Sequence, residues 1–379
     1  MVLGKDLRRR DHAGWESICM IGHGHGPTDA MKTSVTPAED GFSMPAEWAP
    51  HAGCLVSWPC KEETWCGFVK QAKRAYSEVI DAISRFEPVF VLSDPSTIDE
   101  ARQAVAKETP VIEIPLDDAW VRDNGPTFVT SDAGGLAIVQ FRFNGWGERF
   151  PPYDRDARVP ELLAARTGLR RYLAPMVLEG GAISVDGEGT LLTTESCLLN
   201  PNRNPDLTRK SIEEILKSFL GVRKVLWLRQ GIHRSMIDGH IDGIAAFVSP
   251  SKVILATTED ESDPNHAIMM DNRERLEGMS DAKGRSIEIV DFPMPKLREI
   301  AGNRIAPCYT NFFIGTGGIV VPTFGEGNDR IAEEILEGLF PNHEVVGVRS
   351  EYIGVGGGEI HCITQQIPWT PRHPRLSMD

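Results

Sequence analysis

A unit recurs through this chain, and that repeat restricts the fold more than any single motif does. Two short apolar runs flank a turn rich in Gly, Asp or Ser; a stretch of helical spacing follows, and a third apolar run closes the unit. The turns fall near residues 133, 187, 251 and 317. The copies read as hairpin strands at 127–130 and 136–141, 182–185 and 190–194, 244–248 and 253–257, and 311–314 and 319–323. Their helices are predicted from 160, over 208–220, around 266–278 and over 329–340, and the closing strands at 171–173, 224–228, 287–290 and 344–348. A period of roughly 55 to 65 residues describes a repeat architecture rather than one open doubly wound sheet. A fifth unit is divided between the chain ends. Its first strand is predicted at 359–367, its second at 53–58, with a helix over 68–86 and a strand at 88–92; a helix near 99–106 and a strand at 111–114 come next. Pairing the two ends in one module closes a ring, so residues 41–379 read as a single α/β domain of five modules.

Residues 1–40 stand apart. They join Arg8-Arg9-Arg10 to a His-Gly-His-Gly run without sustained periodicity, and we expect a disordered extension. The whole chain of 379 residues carries a net charge of −14, which disfavours nucleic acid as a partner and suits a cationic small molecule. No apolar run reaches the length of a membrane span, and no compact apolar signal core opens the chain, so a cytoplasmic location is expected. The seven cysteines form no C-x-x-C pair, which signals neither a disulfide framework nor a zinc site.

Polar clusters fall at matching places in the repeat. Trp120-Val121-Arg122-Asp123 precedes the first hairpin, Glu179-Gly180-Gly181 the second, and Asp238-Gly239-His240-Ile241-Asp242 the third; Gly356-Gly357-Gly358-Glu359-Ile360-His361-Cys362 leads into the split unit. Matching positions in a ring of modules lie about its axis, so these residues would converge on one pocket. Taken singly each has a plainer reading: Asp123 as a turn residue, Glu179 as a surface charge, His240 as a core histidine, Cys362 as packing. The glycine run lets backbone and ligand approach closely and places Cys362 at a strand mouth, where a thiol can act as nucleophile. Alternation along that strand directs His361 to the opposite face, and no chemistry is assigned to it.

Together these motifs, with Met44-Pro45-Ala46-Glu47-Trp48 and Leu199-Asn200-Pro201-Asn202-Arg203-Asn204-Pro205, resemble the agmatine deiminases and related bacterial peptidylarginine-deiminase-type enzymes over about residues 44–369. The resemblance implies the five-bladed α/β propeller of the guanidine-modifying superfamily, with neither metal nor organic cofactor, in a homo-oligomer. It implies that Asp123 and Asp242 grip a guanidinium, that Cys362 attacks its carbon, that His240 passes protons and that Glu179 orients His240 and can contact substrate; Trp120 and Gly357 are further expected substrate contacts. Carboxylates suit the task because paired charge-assisted hydrogen bonds match the planar N–H edges of a guanidinium.

Where agmatine deiminases usually carry Asn-Ala-Trp-Gly-Gly, this chain has Asn144-Gly145-Trp146-Gly147-Glu148-Arg149. Three readings stand: Glu148 meets a primary ammonium at the far end of the substrate, Arg149 meets an α-carboxylate and admits arginine or another guanidino acid, or both are solvated loop charges. Overall acidity favours the amine tail. An amidinotransferase and a catalytically inactive cation-binding propeller are the other functional alternatives.

Overall fold

In the computed structural model, residues 35–376 and 378 are described, and 36–379 form one compact unit. Residues 36–40 already belong to it: the Ala38 N–H donates to the Ser218 carbonyl at 3.0 Å, and Asp40 accepts from the Tyr172 hydroxyl at 2.6 Å. Residues 1–34 of the expected extension lie outside the described residues.

Strands form five mixed sheets and one two-stranded ribbon among the described residues. In each sheet an antiparallel hairpin is extended by a parallel strand that arrives after a helix. The second sheet pairs Ser184–Val185 with Thr190–Thr194 and then with Lys224–Leu228; the third pairs Ala245–Ser249, Lys252–Thr257 and Glu288–Pro293; the fourth pairs Phe313–Gly315, Gly318–Thr323 and Glu344–Arg349. The first has Thr127–Ser131, Leu136–Arg142 and Arg170–Val177, with Phe42–Ser43 added at its edge. The divided sheet forms as the sequence requires: Thr364–Pro368 lies antiparallel to His51–Ser57, which is parallel to Val89–Ser93. The chain ends are thereby fastened in one blade. Val111–Glu113 extends that sheet, an edge strand that the five-fold pattern does not anticipate.

Helices pack on the sheets, and the core divides into five apolar clusters, each joining residues of neighbouring blades. In helix Val69–Ser84 the buried residues Ala72, Ala75, Tyr76, Val79, Ile80 and Ile83 recur at three- and four-residue spacing, which sets one apolar stripe against the sheet. Helix Arg209–Leu220 starts where the Thr208 hydroxyl accepts the Ser211 N–H at 3.1 Å and stops at Gly221, whose φ of 66° lies in the left-handed region glycine tolerates best.

One local expectation fails. The nucleophile segment becomes a strand only at Thr364, and residues 355–363 turn instead. A single-turn helix at Glu351–Gly354 and three glycines feed this bend, and Thr364 Oγ1 donates back to the carbonyls of Ile360 and His361 at 3.0 and 3.1 Å, closing it locally before pairing begins. The ribbon Arg298–Ile300 and Asn303–Ile305 also lies outside the repeat; its Ile305 reaches the cavity beside Cys362.

Candidate active site

In four blades the segment just ahead of the first hairpin strand makes a tight turn carrying a site residue. Asp123 lies in the single helical turn Val121–Asn124, Glu179 caps the turn Gly180–Ala182, His240 caps Ile241–Gly243, which contains Asp242, and Cys362 lies in the bend before Thr364. The first three of these turns pack on one another. Fourth-blade residue Asn311 completes the ring: its Oδ1 accepts the Cys362 N–H at 3.2 Å, and its carbonyl accepts the His361 N–H at 3.0 Å.

The five expected catalytic side chains come together. Cys362 Sγ lies 3.6 Å from Asp242 Oδ2. His240 Nδ1 is 3.7 Å from Asp123 Oδ1, and His240 Nε2 is 4.0 Å from Glu179 Oε2. Gly181 marks the centre, because a Cβ there would lie 2.7 Å from Asp242 Oδ2, 2.7 Å from His240 Nδ1 and 2.9 Å from Asp123 Oδ1. Neither ring nitrogen of the buried His240 has a hydrogen-bond partner among the described residues, as a proton carrier between other groups requires.

Electrostatics differ from group to group. Burial, then the charge of Asp242, push Asp123 up to about 7, against hydrogen bonds from Trp146 Nε1 (2.8 Å) and the Gly181 N–H (2.9 Å). Burial would raise Asp242 too, but the His361 hydrogen bond and the charges of His361, His240 and Arg122 pull it below the ordinary carboxylate value. Burial lowers His240, with Glu179 and Asp242 opposing. Burial and the charges of Asp242 and Asp123 hold the Cys362 thiol well above its usual range. A cation seated between the carboxylates removes the second of those two causes and so eases ionisation of this sulfur.

Two cavities, of about 200 and 360 Å³, share Cys362, Gly357, Gly358, Met236 and Ile237 in their walls. His240, Asp242 and Asn311 line the first; Asp123, Trp120, Trp146 and Asp118 line the second. Trp120 stacks on Trp65 at 5.5 Å, and both rings lie against Gly356, where a Cβ would sit 2.5 Å from Trp65 and 2.9 Å from Trp120. Gly357 has a φ of 103° and faces Met236. Glu148 is exposed and is not in either wall, whereas Arg149 is in the second. The Arg149 guanidinium is held by the Asp238 carboxylate and donates to the Met236 carbonyl at 3.0 Å.

Sequence reasoning missed the groups behind these. Arg203 Nε donates to Glu179 Oε1 at 2.6 Å in a buried contact and Arg203 Nη1 to the part-buried Asp238 Oδ2 at 2.6 Å, so Glu179 is fixed while its other oxygen faces His240. Arg203 lies in the Asn-Pro-Asn-Arg block that carried the resemblance; its presence there was the signal. His361 was assigned the far face of a strand, yet it bridges Asp242 and Glu47; the bend replaces the alternation on which that assignment rested.

Glu179, Cys197 and His240 have ligand atoms within 4.8 Å of one another. The set suits a metal poorly, because the Arg203 guanidinium already brings a positive charge onto Glu179 and burial holds the Cys197 thiol protonated.

The chain matches the family model described as Porphyromonas-type peptidyl-arginine deiminase over residues 43–368. It is 43% identical over 353 residues to the Listeria monocytogenes (strain F2365) protein named "Putative agmatine deiminase 1", with 87% of this chain and 97% of that one covered. Among solved structures it is similar to the agmatine deiminase of Enterococcus faecalis (37% identity, TM-score 0.86, 89% and 98% covered) and to a C. jejuni agmatine deiminase variant with substrate bound (27%, 0.78, 87% and 97%). The five closed blades, their shared axial site and a match over nearly the whole folded unit lead to one conclusion: the chain belongs to the Porphyromonas-type peptidyl-arginine deiminase family, with the five-bladed α/β propeller fold of the agmatine deiminases.

Proposed function

We propose that the protein is an agmatine deiminase, converting agmatine and water to N-carbamoylputrescine and ammonia. The observation that carries the reading is the convergence of one thiol, two carboxylates and an unpartnered imidazole about Gly181. Asp123 and Asp242 hold the guanidinium, and Cys362 Sγ attacks its carbon. The thiol proton passes through His240 to the departing nitrogen, ammonia leaves, and an S-alkylthiouronium remains on Cys362. His240, steadied by Glu179, then takes a proton from water as the oxygen adds to that carbon; the C–S bond breaks and the ureido product departs. No step calls for a metal or organic cofactor.

Agmatine is favoured over arginine by what the loop charges do. Arg149, the candidate for an α-carboxylate, is engaged by Asp238 and the Met236 carbonyl. Asp118 and Glu63 line the larger cavity, and the ammonium of Lys61, also in its wall, donates to the Pro151 carbonyl at 3.3 Å. Apolar walls from Trp120, Trp146, Phe150 and Ile237 suit a methylene chain. Glu148, exposed outside both walls, is a weaker candidate for the ammonium than the sequence suggested.

Among the described residues no helix is long and apolar enough to cross a membrane, and the described cysteines are all free. Free thiols support a cytoplasmic location. The homo-oligomer implied by the resemblance is checked by sedimentation. Side-by-side kinetics test the substrate: kcat/KM for agmatine is expected to exceed that for L-arginine by at least about tenfold. A preference for a carboxylate-bearing guanidine overturns the substrate and leaves the deiminase chemistry standing.

A further inference from the structure

His361 lies between two carboxylates. Its Nδ1 is 3.0 Å from Asp242 Oδ2 and its Nε2 is 2.9 Å from Glu47 Oε1, with the ring buried. Ionised carboxylates only accept hydrogen bonds, so both contacts are made together when the ring carries a proton on each nitrogen. Asp242 Oδ2, which takes the Nδ1 hydrogen, also lies 3.6 Å from Cys362 Sγ. Glu47 Oε1 is held from its other side by Arg122 Nη1 at 3.2 Å, and that guanidinium is anchored on Gln366 Oε1 at 2.7 Å and the His361 carbonyl at 3.3 Å. Glu47, His361, Asp242 and Cys362 therefore form a single line of contacts running from the back of the propeller core to the nucleophile.

We propose that His361, backed by Glu47, is a positioning residue for the reaction: a buried imidazolium that keeps Asp242 ionised and turns its Oδ2 towards the space between Cys362 and the guanidinium. The proposal rests on reading Asp242 as a guanidinium-binding carboxylate. Two carboxylates this close in a dry site otherwise tend to share a proton, and a shared proton halves the charge offered to the substrate. An imidazolium behind one of them decides which stays charged. The titratable and charged groups facing Asp242 are His361, Arg122, His240, Asp123, Cys362 and Cys308; those facing His361 are Asp242, Glu47, Arg122 and Asp123. Burial and Arg122 oppose protonation of His361, but the charge of Glu47 and the hydrogen bonds the ring donates to Asp242 and Glu47 outweigh them and raise it above the ordinary histidine value. Glu47, despite burial, is lowered to about 2 by His361 and Arg122.

The test has one arm that needs no substrate. In 15N-histidine-labelled, ligand-free enzyme the His361 ring, assigned with His361→Gln, is expected to show protons on both nitrogens at about pH 8. A neutral ring there overturns the proposal, whatever the substrate proves to be. The second arm is the pH profile of kcat/KM. Loss of the imidazolium charge raises both carboxylates that feel it, Asp242 and Asp123, so His361→Gln is expected to move the acidic limb up by about one pH unit and to lower kcat/KM at neutral pH by about 30-fold, with partial recovery above about pH 8. Glu47→Gln is expected to shift the same limb in the same direction by less, and it decides the matter where His361→Gln does not fold. Loss of activity at every pH with the limb unmoved in Glu47→Gln or a folded His361→Gln shows a purely structural contact and overturns the proposal.

Discussion

The turns carrying Asp123 and Asp242 occupy the same place in two blades, yet they deliver carboxylates of opposite character. Both precede a first hairpin strand, and both put an oxygen against Gly181. Behind Asp123 stand neutral donors, the indole of Trp146 and the backbone of Gly181, and burial wins: the group rises to about 7. Behind Asp242 stand His361 and Arg122, and their charge overcomes burial. Position comes from the repeat, while protonation comes from whatever a neighbouring element places at the back. One carboxylate is thus held below the ordinary range and the other raised to about 7, an asymmetry that the sequence motifs do not display.

The largest expected effect isolates binding from chemistry. Cys362→Ser is expected to lose turnover by more than about 1,000-fold while still binding agmatine by calorimetry, because both carboxylates remain. Wild-type-like turnover, or no covalent adduct on Cys362 in the active enzyme, breaks the assignment of the nucleophile. Next, Asp242→Asn is expected to lower kcat/KM by about 100-fold or more and Asp123→Asn by about tenfold, in line with hydrogen bonds to charged groups. Asp242→Asn also leaves Glu47 to balance both the His361 and the Arg122 charge in the core, so its melting temperature falls. Equal losses in activity and stability remove the distinction between the two turns.

A pH series sharpens it further. Because Asp123 titrates at about 7, the acidic limb of wild-type kcat/KM is expected near neutrality and is expected to vanish in Asp123→Asn. Stability follows the same group. Its folded value is raised above the reference value of 3.8, so the contribution it makes when protonated is lost as pH climbs from about 4 through about 7. The melting temperature of Asp123→Asn minus that of wild type is therefore expected to increase by at least about 2 °C between about pH 5 and pH 8; a constant difference shows Asp123 ionised throughout. The smallest effect is that of Trp146→Phe. Removing a donor that favours the ionised form raises Asp123, and the acidic limb is expected to move up by about half a unit.

The repeat and its closure were legible because they rest on local signals. Turn chemistry near 133, 187, 251 and 317 and three- to four-residue apolar spacing in the helices are properties of short windows, and the hairpins formed within a residue or two of expectation. Cys362, His240, Glu179, Asp123 and Asp242 were found by their common place ahead of the hairpins and by the family motifs. The groups that hold them were not. Arg203 meets Glu179 across 24 residues, Glu47 meets His361 across 314, and Arg122 meets Gln366 across 244; no window contains both partners. His361 was misassigned because a period of two was extended into a bend closed by Thr364.

Sequence alone determined the five-module ring and the split blade that fastens its ends, since periodicity and turn residues act over a few positions, and its resemblance to the agmatine deiminases singled out the candidate reacting groups. Tertiary structure alone decided the charge on each of those groups. A buried carboxylate takes its protonation from the sum of desolvation and the charges around it, and that sum is taken over blades far apart in the chain: neutral indole and amide behind Asp123, imidazolium and guanidinium behind Asp242.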